Sequence, residues 1–167
     1  MRTRHSSLLL VTVMLATGAA IVIAGQPASP QAFPDGYRSW QLVRSIIVGP
    51  EHRSFAKRGG FHHYYANAKA VEGYRTGTFP DGAIIVDEAV WAKDGEGQAK
   101  GIQFEGDRRA LDVMTRNRAA FPDTGGWGYE HYDGQDAAPR LNQEQRAACS
   151  ECHAKSERDH VYTRIRP

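Results

Sequence analysis

Cysteine is scarce in this chain, with two in 167 residues, Cys149 and Cys152. A small scaffold stapled by disulfides needs more of them, spread along the sequence. That construction is excluded, and the fold must rest on a hydrophobic core. Methionine is nearly absent too: beyond the first 24 residues only Met114 remains. A charge excess is also missing. Lys and Arg number 21 against 19 acidic residues, and two of the basic residues are Arg2 and Arg4 at the extreme start. The rest is balanced, which removes the electrostatic case for a nucleic-acid partner. There are no internal repeats and no low-complexity core.

One long uncharged run is present, from Leu8 to Ala24, behind the basic Arg2, Arg4 and His5. Val22-Ile23-Ala24 closes it with a small residue before Gly25. A basic start, an apolar middle and a small-residue exit read as a secretory signal, residues 1–24, and the run is short of the ~20 residues of a membrane span. The expectation is export to the periplasm, an uncleaved anchor being the alternative. Residues 25–36, rich in Pro, Ala, Gln and Gly, read as a flexible leader, and 37–167 as a single domain, long enough for one substantial core.

Hydrophobic periodicity and turn residues divide that domain. Tyr37–Trp40 reads as a helical turn, Gln41–Val48 as a β-branched strand, Pro50–Gly60 as a loop and Phe61–Ala66 as an aromatic strand. Asn67 caps a helix over Ala68–Thr76 that Gly77 stops. Pro80-Asp81-Gly82 turns into the strongest strand, Ala83–Trp91, with a turn at Asp94–Gly97. Gly101–Glu105 and Arg109–Thr115 read as two further strands, and Trp127–Tyr132 as another. Asn142 and Gln145 form a capping box for a last helix that runs toward Cys152, and Val161–Ile165 alternates like a closing strand. The fold class expected is α+β and β-dominated: an antiparallel sheet, a few short helices, and the cysteines at the end of a C-terminal helix.

Those cysteines carry the chemistry. Cys149-Ser150-Glu151-Cys152-His153 is the C-x-x-C-H pattern of covalent haem attachment. Each thiol adds across one vinyl group; two intervening residues let the sulfurs reach vinyls on adjacent pyrroles, and the next residue falls beneath the iron. His153 there supplies the proximal metal ligand, its other ring nitrogen donating to a carbonyl or carboxylate. A thioredoxin-like C-x-x-C belongs to a βαβ unit, which is not found here, and a structural zinc site needs four ligands. The cofactor expected is haem c, one per chain.

For the sixth iron position the sequence offers Met114, on one strand face with Ala110 and Asp112, and the neighbours His62 and His63, which point to opposite sides of a strand. Core packing is the usual fate of a lone methionine, and a hydrogen-bonded sheet residue that of a lone histidine.

The chain resembles the cytochrome P-460 and cytochrome c′-beta family of exported monohaem proteins from about Tyr37 to Arg164. The likeness rests on Tyr37-Arg38-x-Trp40, Tyr65-Ala66-Asn67, Gly77-Thr78-Phe79-Pro80-Asp81-Gly82-Ala83-Ile84-Ile85-Val86, Gly125-Gly126-Trp127-Gly128-Tyr129, the haem motif, and Asp159-His160-Val161-Tyr162-Thr163-Arg164. The resemblance implies a largely antiparallel β fold, a homodimer, and an iron open opposite the motif histidine. It also implies two chemistries. Members of the P-460 type oxidise hydroxylamine and cross-link a lysine to the haem ring; here Asp87 stands at the matching position, so that bond cannot form there. Members of the c′-beta type lack the cross-link and bind gases such as nitric oxide. A distal carboxylate aligns with Asp112, the candidate catalytic group, and Phe61 is carried over as an apolar distal wall.

The sequence therefore points to a monohaem protein that binds small gaseous or nitrogenous ligands or takes part in redox chemistry, with a redox partner protein. Its alternatives are a haem enzyme oxidising hydroxylamine or nitric oxide, or acting like a peroxidase, and a plain electron-transfer cytochrome. Alternation leaves open whether Asp87, on a face with Ile85, Ala89 and Trp91, meets the haem.

Overall fold

The computed structural model describes residues 31–166. The expected signal segment and the start of the leader lie outside them. Five strands form one sheet in chain order: β1 (Gln41–Val48), β2 (Gly60–Ala66), β3 (Ile84–Asp94), β4 (Gln103–Arg116) and β5 (Trp127–Asp133), every neighbour antiparallel. Three helices interrupt this meander: α1 (Phe55–Arg58), α2 (Ala68–Thr76) and α3 (Gln143–His153). The β-dominated α+β class, with a C-terminal helix ending on the haem motif, is what the molecule has.

Helix ends follow local chemistry. The Asn67 side chain accepts from the Ala70 N–H at 2.9 Å and starts α2; Gly77, at φ 83°, ends it in the left-handed conformation. The Asn142–Gln145 capping box is closed in both directions and starts α3.

Three local expectations are corrected. The two strands read over 101–105 and 109–115 are one: the residues between them, Gly106-Asp107-Arg108, lie where the β3–β4 register shifts, and the ladder continues through the bulge. Val161–Ile165 pairs with no strand; the segment crosses the end of β1, where the Arg166 N–H donates to the Val43 carbonyl. Within the Pro50–Gly60 loop, Phe55–Arg58 closes a helical turn.

The sheet buries both faces. On one, Val43, Ala66, Ile85 and Tyr129 pack with Ala70 and Val71 of α2, and with Phe79, Trp127 and Val161. Trp127 is fully buried, with Phe79 edge-on at 5.4 Å, so truncating either leaves a cavity worth about 3–5 kcal/mol. On the other, Val86, Leu111, Val113 and Tyr132 pack against Tyr37. The end of the leader lies on this second face: Phe33 meets Tyr132 edge-on at 5.1 Å, and the Tyr132 hydroxyl donates to the Gln31 carbonyl at 2.6 Å. Glu88 also belongs to this face, buried and bonded by the Tyr37 hydroxyl at 2.6 Å and by Arg38. Burial and the Glu88 hydrogen bond push Tyr37 up to about 12.

Candidate functional site

A cavity of about 340 Å³ lies between the first face of the sheet and the C-terminal part of the chain. The strand register builds its floor. Tyr64 of β2 pairs with Asp87 of β3, Asp87 with Asp112 of β4, and Asp112 with His131 of β5. All four line the cavity, with Ile85, Met114 and Tyr129 beside them. Cross-strand partners share a face, so Asp87 looks into the cavity and Glu88 looks away.

The opposite wall carries Cys149 and His153 of α3, then Val161, Tyr162 and Thr163. Both cysteines are free thiols, Cys149 half-buried and Cys152 exposed. The His153 ring lies 5.1 Å from Tyr129 and 5.5 Å from Tyr162. Its Nδ1 donates to the His160 carbonyl at 2.8 Å, which leaves Nε2 as the nitrogen with a free lone pair. Burial pushes its pKa down and favours the neutral, metal-competent imidazole.

That carbonyl is held in place by an unusual turn. Asp159 and His160 both adopt positive φ, 47° and 68°. The Asp159 carboxylate stabilises it, accepting from the Phe79 N–H at 2.9 Å and pairing with buried Arg116 at 3.1 Å. Gly125, at φ 65°, lies against the same turn: a Cβ there would come within 2.4 Å of the His160 ring.

Across the cavity floor the charges are paired. Arg58 of α1 donates to Asp87 at 2.6 Å and to Asp112 at 2.9 Å. Asp87 also bonds His62 Nδ1 at 2.8 Å, and Asp112 bonds His131 Nδ1 at 2.6 Å. The outer nitrogen of His131 reaches Asp133 at 3.0 Å. Burial pushes Asp112 up, but the His131 hydrogen bond and the Arg58 charge outweigh it and hold the carboxyl below its usual range. The Asp112 hydrogen bond raises His131. Burial lowers His62, yet the Asp87 hydrogen bond outweighs it and leaves that pKa raised.

The named site residues divide by location. Asp87, Asp112, Cys149 and His153 share the cavity, and Cys152 lies one helical turn from Cys149. Phe61 does not line it: β2 turns Phe61 to the other face, where the ring stacks on His63 at 6.4 Å, so its assignment to the distal wall has no support in this geometry. His63 points there too and contacts Ser45 at 2.9 Å. His62 faces the cavity side with both ring nitrogens occupied, by Asp87 and by the Arg58 carbonyl at 2.7 Å. Met114 lines the cavity and packs on the core. Arg58, Tyr64 and Tyr129 were not singled out from the sequence. The register would have found Tyr64 opposite Asp87; Arg58 sits in a polar loop and carries no local signal.

The family model for cytochrome P460 matches residues 34–163. The chain belongs to the cytochrome P460 family. It is a haem protein, and the donor set of the cavity fits that cofactor. A neutral imidazole with one nitrogen free stands in a wall that also holds a thiol. Ile85, Met114, Leu141 and Val161 supply apolar lining. The Tyr129 hydroxyl is buried without a partner among the described residues, as expected of a group facing a cofactor cavity. In this cytochrome P460 family chain, Arg58 bridges the two carboxylates of the cavity floor. A search among curated proteins gives no match.

Proposed function

We propose that this protein is an exported c-type monohaem protein whose iron is ligated by His153 and open on the opposite side, and that it binds small ligands such as nitric oxide or takes part in redox chemistry with them. The observation that carries the reading is the Nδ1 bond from His153 to the His160 carbonyl, which leaves Nε2 free beside Cys149 at the end of a capped helix. Cys149 and Cys152 would hold the haem through two thioethers. When bound, the haem supplies an iron centre able to take up a small ligand or exchange an electron. The chain's own groups orient His153, exclude water with Ile85, Met114 and Val161, and hold Asp112 ionised.

His62 is supported as a structural residue and not an iron ligand, since both of its nitrogens are taken. The open-site reading thus competes chiefly with Met114. A second reading, a haem enzyme acting on hydroxylamine, nitric oxide or peroxide, draws on the Asp112–His131 pair, a carboxylate and imidazole at 2.6 Å able to hold and move a proton at the cavity wall.

Intact mass of the purified holoprotein after acid–organic extraction, with optical spectra of both oxidation states, tests the proposal. The expected result is one haem retained per chain, a high-spin ferrous spectrum, and rapid binding of carbon monoxide. Free haem in the extract, or a low-spin ferrous protein that Met114→Ala converts to high spin, overturns it.

A further inference from the structure

A second cavity, of about 600 Å³, opens beneath α1, and nothing in the haem reading uses it. Its walls hold Arg53, Lys57, Arg58 and Arg109, with His62 and His131, against a single carboxylate, Asp112. That carboxylate is already engaged by Arg58 and His131. Asp87, just outside the lining, is likewise engaged by Arg58 and His62. Beyond the first 24 residues the chain carries equal numbers of basic and acidic residues. The cationic bias of this groove is therefore local and not a reflection of overall charge.

Two of the four cations are fixed in place. Arg109 donates to the Gly59 carbonyl at 2.8 Å and the Ala56 carbonyl at 3.0 Å, with its guanidinium 4.5 Å over the Trp91 ring. Arg58 is pinned by the two aspartates. Neither bonds through its Nε among the described residues, so N–H donors remain on two immobilised guanidinium groups, the donor type that recognises carboxylate and phosphate oxyanions. Arg53 and Lys57 are exposed at the mouth and add long-range attraction. The groove also adjoins the haem cavity: Arg58, Asp112 and His131 line both.

We infer that the groove beneath α1 is a binding site for small oxyanions, adjoining the haem cavity and raising the local concentration of anionic ligands beside it. The inference rests on the haem reading for its connection to the iron, but anion binding in the groove is measurable without it.

Two measurements test this on the full-length holoprotein and on an Arg53→Gln/Lys57→Gln variant, the first change in the turn before α1 and the second within α1, both exposed and outside the haem-cavity lining. Titration calorimetry with inorganic phosphate is expected to show binding to the unaltered protein that weakens with added salt and is several-fold weaker in the variant, which keeps Arg58 and Arg109 but loses the attraction of the mouth. Stopped-flow mixing of the ferric protein with nitrite is expected to show association slowed roughly threefold to tenfold in the variant, within the range for a charge-lined cleft. Nitric oxide, which is neutral, is expected to bind both at the same rate. Absence of phosphate binding overturns the site. Equal slowing of nitrite and nitric oxide overturns steering, because it means the substitutions distort access. Unchanged nitrite kinetics with weaker haem retention also overturns it and assigns the groove to the cofactor's own carboxylates. Failure of nitric oxide to bind the unaltered protein sinks the open-iron reading alone and leaves the phosphate result to judge the groove.

Discussion

Asp87 and Asp112 face each other directly across β3 and β4, and the guanidinium of Arg58 donates to both. Like charges in cross-strand register repel, so Arg58 does more than decorate the cavity floor. It makes the register tolerable. Arg58→Gln is expected to destabilise the folded protein at neutral pH by about 1–2 kcal/mol, a modest figure because the guanidinium is 45% exposed. Without Arg58 the Asp112 carboxyl pKa rises, so the deficit should shrink as pH falls and the carboxyls protonate. Urea unfolding of both proteins across pH 4 to 7 measures this. A deficit that grows toward low pH would contradict it, and Asp87→Asn added to the variant should recover part of the loss.

Asp87 governs the bond that the family resemblance ties to a lysine. Peptide mapping of the holoprotein is expected to find haem joined to Cys149 and Cys152 and to no third residue, and steady-state hydroxylamine oxidation is expected to be slow. The Asp87→Lys variant brings a cation beside Arg58 and His62 and removes both of their hydrogen bonds. It should therefore lose about 2–4 kcal/mol. Combining it with Arg58→Ser relieves the repulsion, and a red-shifted spectrum in that double variant would show the lysine reaching the ring.

The Asp112–His131 pair predicts a pH dependence with a definite sign. The His131 pKa is raised above 6.5 by Asp112. Its stabilisation is fully present below that unfolded value and is lost as pH rises through the folded one. The Asp112 pKa lies below 3.8, so its contribution is present above that value and lost as pH falls through the folded one. His131→Gln should flatten the stability profile on the alkaline side of pH 6.5 and also shrink the fall below pH 4, because Asp112 then keeps only Arg58 to hold its carboxyl down. Thermal unfolding across that range checks it; an unchanged alkaline limb removes His131 as the cause.

Asp159 supports His153 from a distance. Asp159→Ala leaves buried Arg116 without its carboxylate and the Phe79 N–H without its acceptor. The expected loss is about 3–5 kcal/mol, the range for breaking a buried pair. The freed turn should also let the His160 carbonyl drift from His153, lowering the basicity of the imidazole. A raised reduction potential alongside the lower melting temperature is the expected signature. Destabilisation with an unmoved potential would reduce Asp159 to a purely structural role.

The parts of this fold legible in the sequence are those fixed by local chemistry. Asn67, Gly77, Asn142 and Gln145 announce helix ends because caps act within four residues. β1 and β5 carry dense β-branched or aromatic runs. The haem motif is local as well, so Cys149, Cys152 and His153 needed no fold. What failed depended on distant partners. Phe61 and Asp87 are separated by strand parity, and parity becomes a face only when the rest of the sheet is known. Gly101–Glu105 and Arg109–Thr115 read as two strands because the residues between them sit at a bulge, whose register only the paired β3 strand reveals. Val161–Ile165 alternates like a strand, yet it meets the β1 edge only through isolated bonds, the Arg166 N–H to the Val43 carbonyl and Arg44 to the Arg164 carbonyl, and no ladder forms. Arg58 was invisible because its value lies in two aspartates 29 and 54 positions away.

The strand order has one more consequence, for the sequence of events in folding. Every strand pairs with its neighbour in the chain, so the sheet can assemble pair by pair from its N-terminal side, its longest connection being the one that carries α2 between β2 and β3. The haem motif enters only after β5, and Cys152 at the helix end remains open to solvent. A framework able to form ahead of α3 would leave the thiols reachable for the covalent attachment proposed above. The His153–His160 bond and the Arg166–Val43 contact then fasten the tail over the finished cavity.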